Sequence, residues 1–156
     1  MHHDAADIST RVGDILAAHR TFEGPLLPIL HAVQAEYGYV PQAALPQIAV
    51  ALNLSRAEVH GVMSFYHDFR EEPAGRHVVK LCRAEACQAM GGDALADHAR
   101  ARLGVDWHGT TPGGVTLEPV FCLGLCACAP AALVDGRVVG RVDNARFDEI
   151  VAECGA

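Results

Sequence analysis

Four of the six cysteines form two pairs in distant parts of the sequence. Cys82 and Cys87 lie in the stretch LCRAEACQAM with four residues between them, and Cys122 and Cys126 lie in VFCLGLCACAP with three residues between them. Thiolates are the ligands that zinc and iron–sulfur clusters prefer in proteins. Each pair begins at the end of a predicted strand, and strand ends in one sheet can lie side by side. The sequence therefore predicts one thiolate metal centre made by these four residues, which we call the cysteine quartet.

The spacing within each pair indicates which metal is bound. Structural zinc usually binds tight C-x2-C pairs, which wrap one small ion. The pairs in this chain are wider and unequal, and two separate pairs match the two irons of a [2Fe-2S] cluster, each of which needs two thiolates. Gly124 permits a tight turn between Cys122 and Cys126, which would bring backbone N–H groups close to sulfur. The quartet favours a [2Fe-2S] cluster, and a zinc-stabilised interaction module without redox function is the alternative.

The two remaining cysteines are weaker candidates. Cys154, in the last predicted helix, is expected to be a buried core residue, because free cysteine packs like a small apolar side chain. Cys128 follows Cys126 by two residues, and we expect it to pack beside the site rather than to bind metal. The chain contains no C-x-x-C, which disfavours a thioredoxin-type redox pair.

The charged and histidine side chains offer no second motif. The nine histidines form no H-E-x-x-H motif, and we expect most of them, including His2 and His3, to be surface or capping residues. His77 and His108 are the two that could approach the quartet, although periodicity does not place them there. Arg83 directly follows a quartet residue and has two interpretations, a cation that stabilises the charge of a reduced cluster or an ordinary exposed arginine.

Composition limits the possible partners and location. The 156 residues suit one domain, or one small domain with an appendage. The net charge is −7 and the basic residues are scattered, so nucleic acid is not expected as a partner. The start, MHHDAADIST, lacks the apolar run of a signal peptide, and no stretch reaches the length of about 20 apolar residues that spans a membrane. We therefore expect a cytoplasmic protein with reduced thiols and no direct membrane insertion.

The first half of the chain is predicted to be helical. Apolar residues recur at helical spacing in four segments. The second segment starts near Pro25 and ends at Gly38, and the fourth begins with a capping box between Ser55 and Glu58. The aromatic residues Phe65, Tyr66 and Phe69 are expected to pack within this half. The residues expected on the buried faces of the first three helices are Ile8, Val12, Ile15, Leu16, Leu26, Leu30, Val33, Tyr37, Leu45, Ile48, Ala49 and Leu52, the third helix running from about Pro41 to Leu52.

The second half is predicted to alternate strands and helices. The charged stretch REEPAG at residues 70–75 indicates a boundary between a helical region, 1–74, and a second domain, 75–156. Asp135-Gly136 between two apolar runs predicts a β-hairpin. The predicted order β-α-β-β-β-α is typical of a small α/β sandwich. The predicted elements are a strand at 76–82, a helix at 86–103 weakened at Gly91-Gly92, a strand at 115–122, the hairpin, and a last helix with Phe147, Ile150 and Val151.

Several of these stretches carry a resemblance to a known family. Three stretches carry the likeness: FCLGLC followed by AP, LLPILHAVQAEYGYVP and EVHGVMSFYHDF. They resemble the thioredoxin-like [2Fe-2S] ferredoxin family, which is the family of the 24 kDa subunit of respiratory complex I. The resemblance runs from about Thr10 to Val151. It implies an α+β fold with an N-terminal helical bundle and a thioredoxin-like α/β domain, and it implies that the quartet, Cys82, Cys87, Cys122 and Cys126, holds the cluster. CRAEACQ and CLGLCAC, including Cys128, are most similar to the gamma-subunit branch of NAD-dependent, molybdenum-containing formate dehydrogenases.

The resemblance also implies a function. It describes an electron-transfer subunit that exchanges single electrons with the FMN of a partner flavoprotein, which also binds NAD. A large molybdenum-containing formate dehydrogenase subunit would be a second partner, and residues 1–74 would dock the flavoprotein. The chain contains neither G-x-G-x-x-G nor G-x-x-x-x-G-K-[ST], so FMN, NAD and the molybdenum cofactor are expected on partner subunits and no activity is expected of the chain alone. The equivalent subunit of complex I or of a bidirectional NAD-linked hydrogenase is the alternative.

Overall fold

The computed structural model describes residues 5–155, so His2 and His3 lie outside the described residues. The chain divides into two compact units, Met1–Pro73 and Ala74–Ala156. Within the described part, no helix combines the length and the apolar character that a membrane span requires.

The first unit is a bundle of helices around an apolar core. The helices are α1 (Ala5–Ala18), α2 (Leu26–Tyr37), α3 (Leu45–Leu52) and α4 (Arg56–Phe65). The predicted helix ends are confirmed at two places. Gly38 caps the C-terminal end of α2 with a φ of 78°. The capping box forms, since the Glu58 N–H donates to Ser55 Oγ and the Ser55 N–H donates to Glu58 Oε2. The core residues are Ile8, Val12, Ile29, Leu30, Val33, Tyr37, Val40, Ala44, Leu45, Ile48, Ala49, Val59, Met63 and Phe69.

Two details of the first unit differ from the prediction. The third helix begins at Leu45, because residues 42–44 form a separate 3-10 turn. Phe69 is buried as expected, but Phe65 and Tyr66 are 73% and 44% exposed. The buried face of α4 is made by Val59 and Met63, four residues apart. Phe65 comes two residues after Met63 and therefore points to the opposite side of the helix.

The second unit is a four-stranded sheet packed against helices. The strands are β1 (His77–Cys82), β2 (Val115–Val120), β3 (Ala131–Val134) and β4 (Arg137–Gly140). The strand order is β2-β1-β3-β4, with β1 parallel to β2 and the other neighbours antiparallel. The helices are α5 (Glu85–Ala89), α6 (Gly92–Leu103) and α7 (Asn144–Glu153), with a 3-10 turn at Cys126–Cys128. The core residues include Val79, Leu81, Leu95, Ala99, Leu117, Phe147, Ile150 and Val151.

The hairpin is confirmed, and one predicted helix is corrected. Asp135 and Gly136 both have positive φ, 49° and 83°, as a tight turn between β3 and β4 requires. The helix predicted at 86–103 is two helices, α5 and α6, because Gly91 between them adopts a φ of 91° that ends the first helix. The strand predicted at 115–122 ends at Val120, which leaves Cys122 in the loop that follows.

Candidate metal centre

The quartet lies where two neighbouring strands end. Cys82 is the last residue of β1, and Cys87 lies in α5, which follows at once. Cys122 comes two residues after β2, and Cys126 opens the next 3-10 turn. Because β1 and β2 are parallel neighbours, the two segments leave the sheet at the same edge.

The register of the strands fixes how close the two segments come. Cys82 lies opposite Val120 in the β1–β2 pairing. The pairing continues one residue further, since the Arg83 N–H donates to the carbonyl of Val120 at 2.7 Å. The Cys122 and Leu123 N–H groups, just beyond, hydrogen-bond the sulfur of Cys82. The fold thus brings both cysteine pairs together, as strand ends in one sheet allow.

The two pairs differ in burial. Cys82 and Cys87 are 5% and 2% exposed, whereas Cys122 and Cys126 are exposed. The inner pair packs with Ala131 in a small apolar cluster, against which Leu123 and Leu125 of the second segment also pack. One side of the quartet therefore faces the protein interior and the other faces solvent.

Backbone N–H groups surround the sulfur of Cys82. Burial by itself would raise the pKa of this thiol, but hydrogen bonds from the Ala84 N–H, the Cys87 thiol and the backbone N–H groups of Cys122 and Leu123 lower the pKa below its ordinary value. These donors favour the thiolate, which is the form that binds metal. The Gly124 N–H donates to Cys122 Sγ at 3.4 Å, so the predicted N–H contact in this loop is confirmed.

The other thiols influence one another across the two pairs. The sulfurs of Cys122 and Cys126 are 4.0 Å apart. Burial, together with the hydrogen bond to Cys82, raises the pKa of Cys87, and the charge of Cys126 adds to this. The hydrogen bond between Cys126 and Cys122 raises the pKa of Cys126, and the charge of Cys82 contributes. Each of these thiols, once ionised, makes the ionisation of its neighbours less favourable, and bound cations remove this penalty.

Two glycines allow the second segment to take its path. Gly124 has a φ of 73°, as the tight turn required. Gly140, at the end of β4, lies beneath the 3-10 turn: a Cβ at this position would meet Cys128 Cβ at 2.7 Å and the Cys128 carbonyl oxygen at 3.0 Å. Sequence reasoning missed this role of Gly140, although a glycine within a strand is a known signal of a close backbone approach.

The donor set fits an iron–sulfur cluster better than a single ion. Four thiols converge, in two pairs that come from separate segments. Two such pairs match two iron ions, each of which takes two thiolates.

The remaining candidates from the sequence lie elsewhere or have other contacts. Cys128 is half-buried against Gly140, and Cys154 is a buried core residue directly after α7. The Arg83 guanidinium pairs with Asp93 at 2.7 Å, donates to the Gly92 carbonyl and lies over the ring of Trp107, contacts that favour a structural role.

Neither histidine that could approach the quartet does so. His77 opens β1, at the end opposite to Cys82. His108 is exposed, and its backbone N–H donates to the carbonyl of Leu117, three residues before the end of β2.

Comparison with known proteins places these features in context. Residues 12–155 match the profile of the thioredoxin-like [2Fe-2S] ferredoxin family. NADH-quinone oxidoreductase subunit 2 of Thermus thermophilus is 32% identical over 129 residues, which cover 81% of this chain and 71% of that protein. NAD-reducing hydrogenase HoxS subunit alpha of Cupriavidus necator is 32% identical over 147 residues, which cover 94% of this chain and 24% of that protein.

A solved structure shows the same likeness. The crystal structure of an NAD+-reducing [NiFe]-hydrogenase in the air-oxidized state aligns with a TM-score of 0.67 and 28% identity, over 84% of this chain and 23% of the hydrogenase chain. The chain therefore spans about a quarter of the length of both hydrogenase proteins.

Proposed function

Because this chain belongs to the thioredoxin-like [2Fe-2S] ferredoxin family, we propose that it is the electron-transfer subunit of an NAD-linked oxidoreductase complex. Membership implies one [2Fe-2S] cluster, which supplies one-electron transfer when bound. The observation that carries the proposal is the convergence of the quartet at one edge of the sheet. We assign the four iron ligands to Cys82, Cys87, Cys122 and Cys126.

The two halves of the quartet have different tasks. Cys82 and Cys87 anchor the cluster in the apolar interior, where water has little access. The N–H groups around Cys82 and Cys122 stabilise negative charge on sulfur, which raises the reduction potential. Cys122 and Cys126 form the exposed side, through which electrons enter and leave.

The surroundings of the exposed side suit a protein partner. Phe121, next to Cys122, is large and apolar and yet 65% exposed. Large exposed apolar side chains are typical of interaction surfaces. We propose that the FMN- and NAD-binding flavoprotein subunit covers this side. Electron transfer between the flavin and the cluster requires a short distance, and direct contact between the two subunits provides it.

The first unit offers a second contact surface. Leu26, Leu54, Val62, Phe65 and Tyr66 line an open cavity of about 550 Å³. Aromatic side chains beside such a cavity suit the apolar anchor residues of a partner. This arrangement supports the expectation that residues 1–74 dock the flavoprotein.

For the parent complex we propose an NAD-dependent formate dehydrogenase with a large molybdenum-containing subunit. The proposal rests on the CRAEACQ and CLGLCAC stretches. The relatives named above favour two other parent complexes, complex I and an NAD-reducing hydrogenase, and they do not distinguish between these two. Purification of the native complex under mild conditions distinguishes them by metal and flavin analysis. We expect FMN and molybdenum, whereas nickel or a set of membrane subunits would contradict the formate dehydrogenase assignment.

The cofactor is tested on the chain alone. Protein produced with ample iron should contain two irons and two acid-labile sulfides and should be red-brown, with a spin-one-half signal after reduction. Colourless protein with stoichiometric zinc would instead support the zinc-stabilised interaction module. The same sample should not oxidise NADH or formate, and turnover by flavin-free protein would contradict the division of labour proposed here.

A further inference from the structure

Three potential metal ligands meet at the end of the sheet opposite to the quartet. His77 opens β1, Asp135 lies in the turn between β3 and β4, and Cys154 directly follows α7. A ring nitrogen of His77, a carboxylate oxygen of Asp135 and the sulfur of Cys154 all lie within 4.8 Å of one another. His77 is five residues before Cys82 along β1, which places this group about 17 Å from the quartet at about 3.3 Å per residue.

Contacts that involve no metal hold these three elements in place. The Asp135 N–H donates to the carbonyl of Val78 at 3.0 Å, and the Val78 N–H donates to Asp135 Oδ1 at 2.8 Å. His77 Nδ1 lies 2.7 Å from Asp135 Oδ2. On the side of Cys154, Arg137 of β4 pairs with Glu153 of α7 at 3.3 Å. The ligand atoms are therefore preorganised, which lowers the cost of binding an ion.

The donor set indicates which ion fits. Magnesium and calcium take oxygen ligands, whereas one nitrogen, one oxygen and one sulfur suit zinc. Zinc bonds of about 2.0–2.3 Å place tetrahedral donors about 3.4 Å apart, so a gap of 4.8 Å has to close by about 1.4 Å. We propose that His77, Asp135 and Cys154 form a second metal site, which binds one Zn²⁺ and leaves a fourth position for water.

The burial of the three side chains leaves an ion a route to the group. Cys154 lies on the inside, while the side chains of His77 and Asp135 are 33% and 44% exposed.

A comparable pair elsewhere provides an internal control. His98 Nε2 lies 2.9 Å from Asp148 Oδ1, between α6 and α7. No third ligand atom lies beside that pair among the described residues. If any histidine–carboxylate pair on this surface bound zinc, His98 and His77 would behave alike.

The experiment uses the full chain with its cluster loaded, so that the quartet is occupied. The protein is dialysed against micromolar Zn²⁺, and zinc and iron are measured on the same sample. We expect one zinc in addition to two irons, an affinity more than about 100-fold weaker for Cys154→Ala and for His77→Ala, and no change for His98→Ala. Absence of zinc from the wild-type chain, or equal affinity of wild type and Cys154→Ala, would overturn the proposal.

X-ray absorption at the zinc edge identifies the ligands without interference from iron. We expect one sulfur at about 2.3 Å and nitrogen or oxygen at about 2.0 Å. No sulfur, or more than one, would place the zinc elsewhere and overturn the proposal.

Asp135→Asn tests the site if the alanine variants unfold, because asparagine tolerates positive φ and its amide oxygen can still accept the Val78 N–H. This variant should also lose zinc affinity, and unchanged affinity would contradict the site.

Discussion

Gly140 is the residue whose replacement tests most directly how the second cysteine segment is held. It lies at the end of β4, and a Cβ at this position would meet Cys128 Cβ at 2.7 Å, Leu125 Cδ2 at 2.9 Å and the Cys128 carbonyl oxygen at 3.0 Å. Leu125 can rotate its side chain away. The Cys128 atoms belong to, or adjoin, the backbone, so Gly140→Ala must displace the 3-10 turn that begins with Cys126.

The size of the effect follows from two opposing contributions. Forcing an extra carbon into a packed site costs about 1–3 kcal/mol. Alanine recovers about 0.4–1 kcal/mol by restricting the unfolded chain, because Gly140 does not have a positive φ that alanine would resist. The midpoints of these two ranges leave a net loss of about 1.3 kcal/mol, which corresponds to a decrease in Tm of roughly 5–10 °C for a domain of the size of the second unit, Ala74–Ala156. The Arg141 N–H bond to the Cys128 carbonyl, 2.6 Å long, should weaken as the turn moves.

The assay follows Tm and the rate of iron release to a chelator on cluster-loaded protein. Gly140→Ala should lower Tm and release iron several times faster than wild type. Gly61→Ala is the matched control: no heavy atom lies within 4 Å of its added carbon, and in the interior of α4 it should add about 1 kcal/mol of stability.

A double-mutant cycle separates the proposed clash from other causes. Adding Cys128→Gly to Gly140→Ala removes the closest contact, so the two changes should show a favourable coupling of at least about 0.5 kcal/mol. Unchanged Tm and iron release in Gly140→Ala, or strictly additive effects in the cycle, would refute the argument that this glycine exists for close approach.

Four further outcomes are expected. Alanine at any position of the quartet should abolish or badly damage the cluster, while Cys128→Ala should retain it, as measured by iron content and visible absorbance; iron-free Cys128→Ala beside fully loaded Cys126→Ala would reverse the ligand assignment. Arg83→Ala should lower the free energy of unfolding by about 1–2 kcal/mol, from one partly exposed ion pair and one cation–π contact, with little change in reduction potential measured by redox titration. Ser55→Ala should cost about 1 kcal/mol in denaturant titration, from the lost cap, and leave the cluster spectrum unchanged. The fragment of residues 75–156 should assemble the cluster yet bind the flavoprotein more weakly in a pull-down with iron measured on the same sample, and a fragment unable to hold iron would show that the two halves form one cooperative core.

The sequence by itself determined the features that depend on neighbouring residues. The capping box between Ser55 and Glu58, the end of α2 at Gly38 and the hairpin at Asp135-Gly136 all follow from local backbone chemistry, and all three are present. The sequence also predicted that the quartet can converge, because each pair begins at the end of a predicted strand, but the parallel pairing of β1 with β2 that brings these ends together is a finding of the tertiary structure.

Only the tertiary structure decided what depends on contacts between distant segments. The sequence did not show that the Leu123 N–H serves the sulfur of Cys82, that Gly140 lies beneath Cys128, or that Cys154 lies beside His77. The sequence also did not establish which side of α4 faces the core, and Phe65 lies on the other side. Local patterns specify elements because hydrogen bonds within an element join near neighbours, whereas the surroundings of a side chain are set by the register and packing of elements far apart in the chain.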